Sequence, residues 1–130
     1  MSGRVVHFEI PADNVDRASA FYREAFGWQL QPVPEMDYTM VMTTPIDEQG
    51  MPTEAGGING GMFDRSGEGG KFKTPVIVID VSSVDEALEK VESLGGQVVS
   101  PKMAVGDMGF AGYFTDSEGN IMGLWESAQG

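Results

Sequence analysis

The feature that most constrains this chain is that it matches itself. Shifted by 69 residues without gaps, Val15-Asp16-Arg17-Ala18 falls on Val84-Asp85-Glu86-Ala87, Gly27 on Gly96 and Ile10 on Ile79. Such a chain repeats one supersecondary unit and stacks the copies around a shared apolar interior. Each copy opens with a short β-branched or aromatic run, Val5-Val6-His7-Phe8-Glu9-Ile10 and Val76-Ile77-Val78-Ile79-Asp80-Val81. Both are bounded by turn formers and too short for helices, so they read as strands. Apolar residues then recur at helical spacing: Val15, Ala18, Phe21, Tyr22, Ala25 and Phe26, and again Val84, Ala87, Leu88, Val91 and Leu94. Asp13 or Asn14 can cap the first helix. Ser83-Val84-Asp85-Glu86 has the capping-box form for the second, and Gly27 and Gly95-Gly96 supply the left-handed stops.

Weaker strands follow each helix. They are Trp28 to Leu30, Tyr38 to Met42 and Gly57 to Phe63, then Gln97 to Val99, Gly109 to Thr115 and Ile121 to Trp125. Asp116-Ser117-Glu118-Gly119-Asn120 reads as the turn between the last two, and Pro101 to Asp107 as a loop. The expected architecture is α+β, one domain of two βαβββ modules. The first spans about 4–63, a linker about 64–74, whose Asp64 to Lys71 stretch lacks apolar residues, and the second about 75–126.

Charge and composition narrow the chemistry. Against 20 Asp and Glu stand 8 Lys and Arg, a formal charge of −12 in 130 residues. Nucleic acid and anionic membrane are bound through Lys and Arg, so neither is an expected partner, and a cationic guest suits the field better than an anion. Cysteine is absent, which removes disulfides, thiolate metal sites and cysteine nucleophiles. There is one histidine, whereas transition-metal sites usually draw on two or three. No signal-peptide core or 18-residue apolar run occurs, so the expected location is the cytoplasm.

The paired modules resemble the vicinal oxygen chelate superfamily, which includes glyoxalase I, extradiol dioxygenases and bleomycin-resistance proteins. The residues that carry the likeness are His7 followed by Asp13, Ala20-Phe21-Tyr22 with Phe26-Gly27-Trp28, and Tyr113-Phe114-Thr115-Asp116-Ser117-Glu118-Gly119-Asn120. The last has serine where the family usually has proline. The resemblance implies modules set edge to edge, forming a curved half-open barrel with outer helices. On that reading His7 and Glu9 face the cavity, as do Val76, Val78, Asp80, Ile121, Gly123 and Trp125, while Phe8, Ile10, Met122 and Leu124 face the helices.

Metal-dependent members carry four ligands, one in the first and one in the last strand of each module. His7 matches the first position. The others fall near Asn59 to Gly61, on Val76 and on Gly123, and neither valine nor glycine can ligate. No metal or other cofactor is therefore expected, with a rearranged His7/Glu9 site for a divalent ion as the alternative. His7 and Glu9 are the candidate acid and base, with a His7–Glu9 pairing to offset the cost of a carboxylate in a cavity. Tyr38, Asn59, Phe63 and Trp125 are candidate ligand-binding residues, although core packing is the better explanation of any one of the aromatics. Lys102 is either a lysine over the cavity mouth or a solvated one.

Two functions follow as expectations. One is a metal-independent small-molecule-binding protein of the glyoxalase/bleomycin-resistance type, with a cationic or aromatic ligand. The other is a lyase or isomerase related to lactoylglutathione lyase, with His7/Glu9 as acid/base. Exposed strand edges add the expectation of a homodimer.

Overall fold

The computed structural model describes residues 3–66 and 72–128. Among them the elements run β1 (Val5–Ala12), α1 (Val15–Phe26), β2 (Gln29–Val33), a 3-10 turn (Pro34–Met36), β3 (Tyr38–Met42), β4 (Gly60–Asp64), β5 (Val76–Asp80), α2 (Val84–Ser93), β6 (Gln97–Val105), β7 (Gly109–Thr115) and β8 (Ile121–Ser127). This is the α+β, twice-repeated βαβββ order. No helix among the described residues is long and apolar enough to cross a membrane.

The chain divides into two compact units, one of residues His7–Pro75, the other of the residues up to Val6 together with those from Val76 on. The expected first module began at about residue 4. Instead the backbone before His7 belongs to the other unit, because Gly3 N donates to the Asp80 carbonyl and Asp80 N to that of Arg4, at 2.6 and 2.8 Å. Of the expected linker, residues 67–71 lie outside the described residues. Arg65 is held by both Asp13 carboxylate oxygens at 2.8 and 2.9 Å and donates to the Lys73 carbonyl at 3.2 Å. The guanidinium keeps the Asp13 carboxyl below the usual range.

In the His7–Pro75 unit the strands lie in the order β2-β3-β4-β1, with β1 and β4 parallel and the other pairs antiparallel. Asn14 caps α1 by accepting from Arg17 N, and Gly27 ends it at φ 74°. Val41 and Met62 are fully buried beside Ala12. Phe8, Ile10, Val15, Ala18, Tyr22, Trp28 and Leu30 pack around them. Since Phe8, Ile10 and Ala12 take the helix side of β1, strand alternation sends His7 and Glu9 to the other face.

The second unit orders its strands β5-β8-β7-β6. Ser83 caps α2 by accepting from Glu86 N at 3.1 Å. Its core is Val84, Leu88, Phe114 and Leu124, with Ile79, Val81 and Met122 packed against it. Met122 and Leu124 thus face the helix as alternation requires. The expected loop from Pro101 to Asp107 is a correction, since β6 continues to Val105. Two register shifts against β7, between Val98/Ser100 and Ser100/Met103, accommodate a proline that has no N–H for the ladder. Strand β6 carries those bulges and β2 carries Pro32.

Leu88→Ala should cost about 2–4 kcal/mol, because the cavity it opens lies among close-packed neighbours. Leu94 is 73% exposed, and Leu94→Ala should stay within about 0.5 kcal/mol. Urea denaturation of the two variants checks the contrast.

Candidate functional site

Two of the predicted site residues stand on β1 with one residue between them, so the pleat aims both at the face away from α1. Register then decides what joins them. Glu9 lies opposite Gly61 on β4, and Gly61 lies opposite Met40 on β3. A side chain at 61 would occupy the space over the sheet between β3 and β1. A Cβ built there would run into the Tyr38 ring and hydroxyl. Glycine leaves that space open, and the phenol of Tyr38 crosses β4 to reach β1.

Tyr38 Oη donates to Glu9 Oε2 at 2.9 Å and lies 2.9 Å from His7 Nε2. The His7 and Tyr38 rings are nearly parallel, 14° apart with centroids at 6.5 Å. His7 Nε2 and Glu9 Oε2 are 4.0 Å apart, so the two lie within ion-pair distance, and the phenol hydrogen-bonds to both. Glu9 is 8% exposed, and this hydroxyl is part of what makes its burial tolerable. Burial holds the His7 imidazole below its usual pKa of 6.5, against the opposing pull of the Glu9 charge. The result is a neutral imidazole at neutral pH, tied to a carboxylate through a phenol. Such a group can accept a proton and have the resulting charge stabilised from behind.

The other candidates are placed differently. Asn59 does not point its amide to His7. Its Oδ1 accepts from Thr43 N and Thr44 N at 2.7 and 2.9 Å, and its Nδ2 donates to the Thr44 carbonyl at 3.2 Å. It closes the loop after β3. Phe63 makes an edge contact with Phe72, centroids 5.4 Å apart. Trp125 belongs to the other unit, where its ring covers Gly109. Lys102 is partly exposed but paired: Nζ is 3.6 Å from Glu126 Oε1, 3.9 Å from Asp85 Oδ2 and 4.2 Å from the Phe110 ring centre. Glu126 Oε1 also accepts from Val84 N at 2.9 Å, so this cluster anchors the start of α2.

The donor set can be tested against a divalent ion. Among the described residues no three His, Asp or Glu side chains come together in a way that could hold one. His7 and Glu9 offer two donors, and a Glu9 oxygen already takes the Tyr38 proton. Two donors do not fit a site that needs at least three protein ligands.

The comparisons with known proteins agree with this fold. The family model for the N-terminal region of bleomycin resistance protein-like proteins matches residues 4–44. A "Glyoxylase-like domain-containing protein" of Didymella fabae is 30% identical over 128 residues, 92% of this chain and 91% of that one. The chain belongs to the glyoxalase/bleomycin-resistance-like family of the vicinal oxygen chelate superfamily. "Putative glyoxylase CFP32" of Mycobacterium tuberculosis (strain CDC 1551 / Oshkosh) is 32% identical over 114 residues, 85% of this chain. The chain spans only 40% of that protein's length. Among solved structures, the hypothetical protein BH1468 from Bacillus halodurans C-125 superposes with a TM-score of 0.66 at 15% identity, covering 98% of this chain and 96% of that one. A Streptomyces coelicolor methylmalonyl-CoA epimerase superposes with a TM-score of 0.64 at 19% identity, covering the same shares. These two establish the fold.

The His7 shift has a signed consequence for stability. The folded-state pKa lies below 6.5, so between 6.5 and that lower value the unfolded chain binds more protons than the folded one. Stability present above pH 6.5 is therefore lost as the pH falls toward the folded pKa. His7→Gln should flatten the urea midpoint over that window, and with one histidine in the chain the comparison is clean. Tyr38→Phe should cost about 1–3 kcal/mol at neutral pH, because the Glu9 carboxylate loses a donor.

Proposed function

We propose that this chain binds a small ring-bearing molecule, uncharged or cationic, on the sheet face that carries His7, Tyr38 and Glu9, without a metal ion. The observation that carries this reading is the Tyr38 phenol seated between His7 and Glu9. It builds a fixed polar point on a face that also carries apolar Met40 and Met42, both on the Tyr38 side of β3 and half-buried. Apolar walls with a few fixed polar groups are the usual composition of a small-molecule site. The charge of −12 favours a guest that is not an anion. The donor set supports a metal-independent reading, since two donors give a divalent ion too few bonds.

A second reading has its own support. A neutral imidazole backed by a phenol and a carboxylate is arranged as a general base, which fits a lyase or isomerase that moves a proton on a small oxygenated substrate. On this reading His7 takes the proton. Tyr38 and Glu9 orient it and stabilise the imidazolium without touching substrate.

Native mass spectrometry of protein purified without chelator or affinity metal tests the first reading. The expected spectrum shows no bound divalent ion and a retained or exchangeable small molecule that His7→Ala and Tyr38→Phe lose. A zinc titration adds a second readout. A site filled at about 100 times its dissociation constant would stabilise the fold by about 2.7 kcal/mol, and no such rise in the urea midpoint is expected. One stoichiometric ion that raises stability would overturn metal independence. The same spectrum counts the subunits and so tests the expected homodimer.

A further inference from the structure

The hydrogen bonds around Tyr38 fix more than position. A phenol has one proton, and a carboxylate can only accept. Since Tyr38 Oη gives its proton to Glu9 Oε2, the contact with His7 at 2.9 Å is made the other way, with His7 Nε2 carrying the hydrogen and the phenol oxygen accepting. A neutral imidazole carries one N–H, so Nδ1 is then a bare acceptor. Burial keeps the ring in that neutral state. Among the described residues nothing else hydrogen-bonds to the ring. Among the described residues no buried side-chain nitrogen or oxygen is left without a partner, so the unpartnered Nδ1 is not fully buried. Consistent with this, 28% of the His7 side chain is exposed.

We propose that His7 is locked as the Nε2–H tautomer by the Tyr38–Glu9 pair and presents Nδ1 to the ligand, so that the site selects molecules that donate an N–H or O–H. The ligand class rests on the binding role proposed above; the tautomer does not. A carboxylate or phosphate diester has no proton to offer Nδ1 at neutral pH and meets the negative field of the chain as well. A phenol, an enol or an amine does have one. Tyr38 and Glu9 are positioning residues here, because they reach the ligand only through the imidazole. Gly61 is the third, since any side chain there displaces the phenol.

The chain contains one histidine, so long-range 1H–15N NMR reads this imidazole without ambiguity. In the intact protein above the His7 pKa, Nε2 should resonate as a protonated nitrogen and Nδ1 as a bare one. Glu9→Leu keeps the volume and removes the acceptor, which frees the Tyr38 proton to point at Nε2. The spectrum should shift toward the Nδ1–H form, and the His7 titration should move lower still as the Glu9 charge is lost. Tyr38→Phe removes the acceptor for Nε2–H and should also raise the Nδ1–H share, which provides the test if the Glu9 variant does not fold. An Nδ1–H form in the intact protein, or a tautomer that neither variant changes, would overturn the lock.

Phenol and anisole then test the ligand class, because they share a ring and differ in the donor. Phenol should perturb the Nδ1 resonance, and anisole should bind about tenfold more weakly, the worth of one hydrogen bond. Equal binding of the two would overturn donor selection and leave the tautomer standing. If neither ring disturbs any resonance of this face, the binding role fails together with the ligand class, while the tautomer is still decided by the variants.

Discussion

The site depends on the burial of one carboxylate. Glu9 sits on β1 at 8% exposure, where a charge in a low-dielectric surround costs several kcal/mol unless hydrogen bonds replace the lost water. The phenol of Tyr38 supplies one such bond, and it can do so only because β4 has no side chain at position 61. Three strands are thereby coupled. The Glu9 to Gly61 to Met40 register sets where the phenol crosses, so a slip of one residue in either pairing would both bury the wrong face and separate the donor from the acceptor.

The chemistry of His7 follows from the same arrangement. The imidazole is desolvated enough to stay neutral, yet Glu9 is near enough, at 4.0 Å, to welcome a positive charge if one forms. A closer carboxylate would raise the pKa and hold the ring protonated. A more distant one would leave the ring a weak base. Interposing a phenol gives an intermediate electrostatic coupling and, through its single proton, a fixed direction for both hydrogen bonds.

Much of this fold is legible in the sequence because its signals are local. The repeat, the Asn14 and Ser83 caps, the Gly27 stop and the faces of β1 and β8 follow from spacing and alternation. His7 and Glu9 could be put on one face for the same reason. The link between them could not be read, because it depends on the register of β1 against β4 and of β4 against β3, set by packing of residues far apart in sequence. Gly61 falls in the expected strand Gly57 to Phe63, but nothing local to it says which side chain would cross its bare backbone. Asn59 and Lys102 show the converse. Both have the chemistry of site residues, and each is occupied by backbone or charge partners that only the folded chain brings near. The length of β6 escaped notice because bulges let Pro101 stay in a strand, contrary to its local preference.

Comparison of the two units separates scaffold from chemistry. Val78 occupies in β5 the place of Glu9 in β1, and it lies opposite Gly123 of β8 as Glu9 lies opposite Gly61 of β4. A Cβ at Gly123 would come within 3.2 Å of the Tyr113 ring and 3.1 Å of Val78, just as one at Gly61 would meet Tyr38. Both units therefore set a tyrosine from the neighbouring strand against a strand glycine, although Tyr113 lies directly opposite Gly123 while Tyr38 lies two residues from Met40, the partner of Gly61. In the second unit the residue across from the glycine is Val78, an apolar side chain. Where it is glutamate, the diagonal approach of Tyr38 brings the hydroxyl onto a carboxylate and, two residues earlier, onto the one imidazole of the chain. The glycine and tyrosine are thus the architectural part, shared by both copies. Glu9 and His7 are the substitutions that give one copy a proton acceptor.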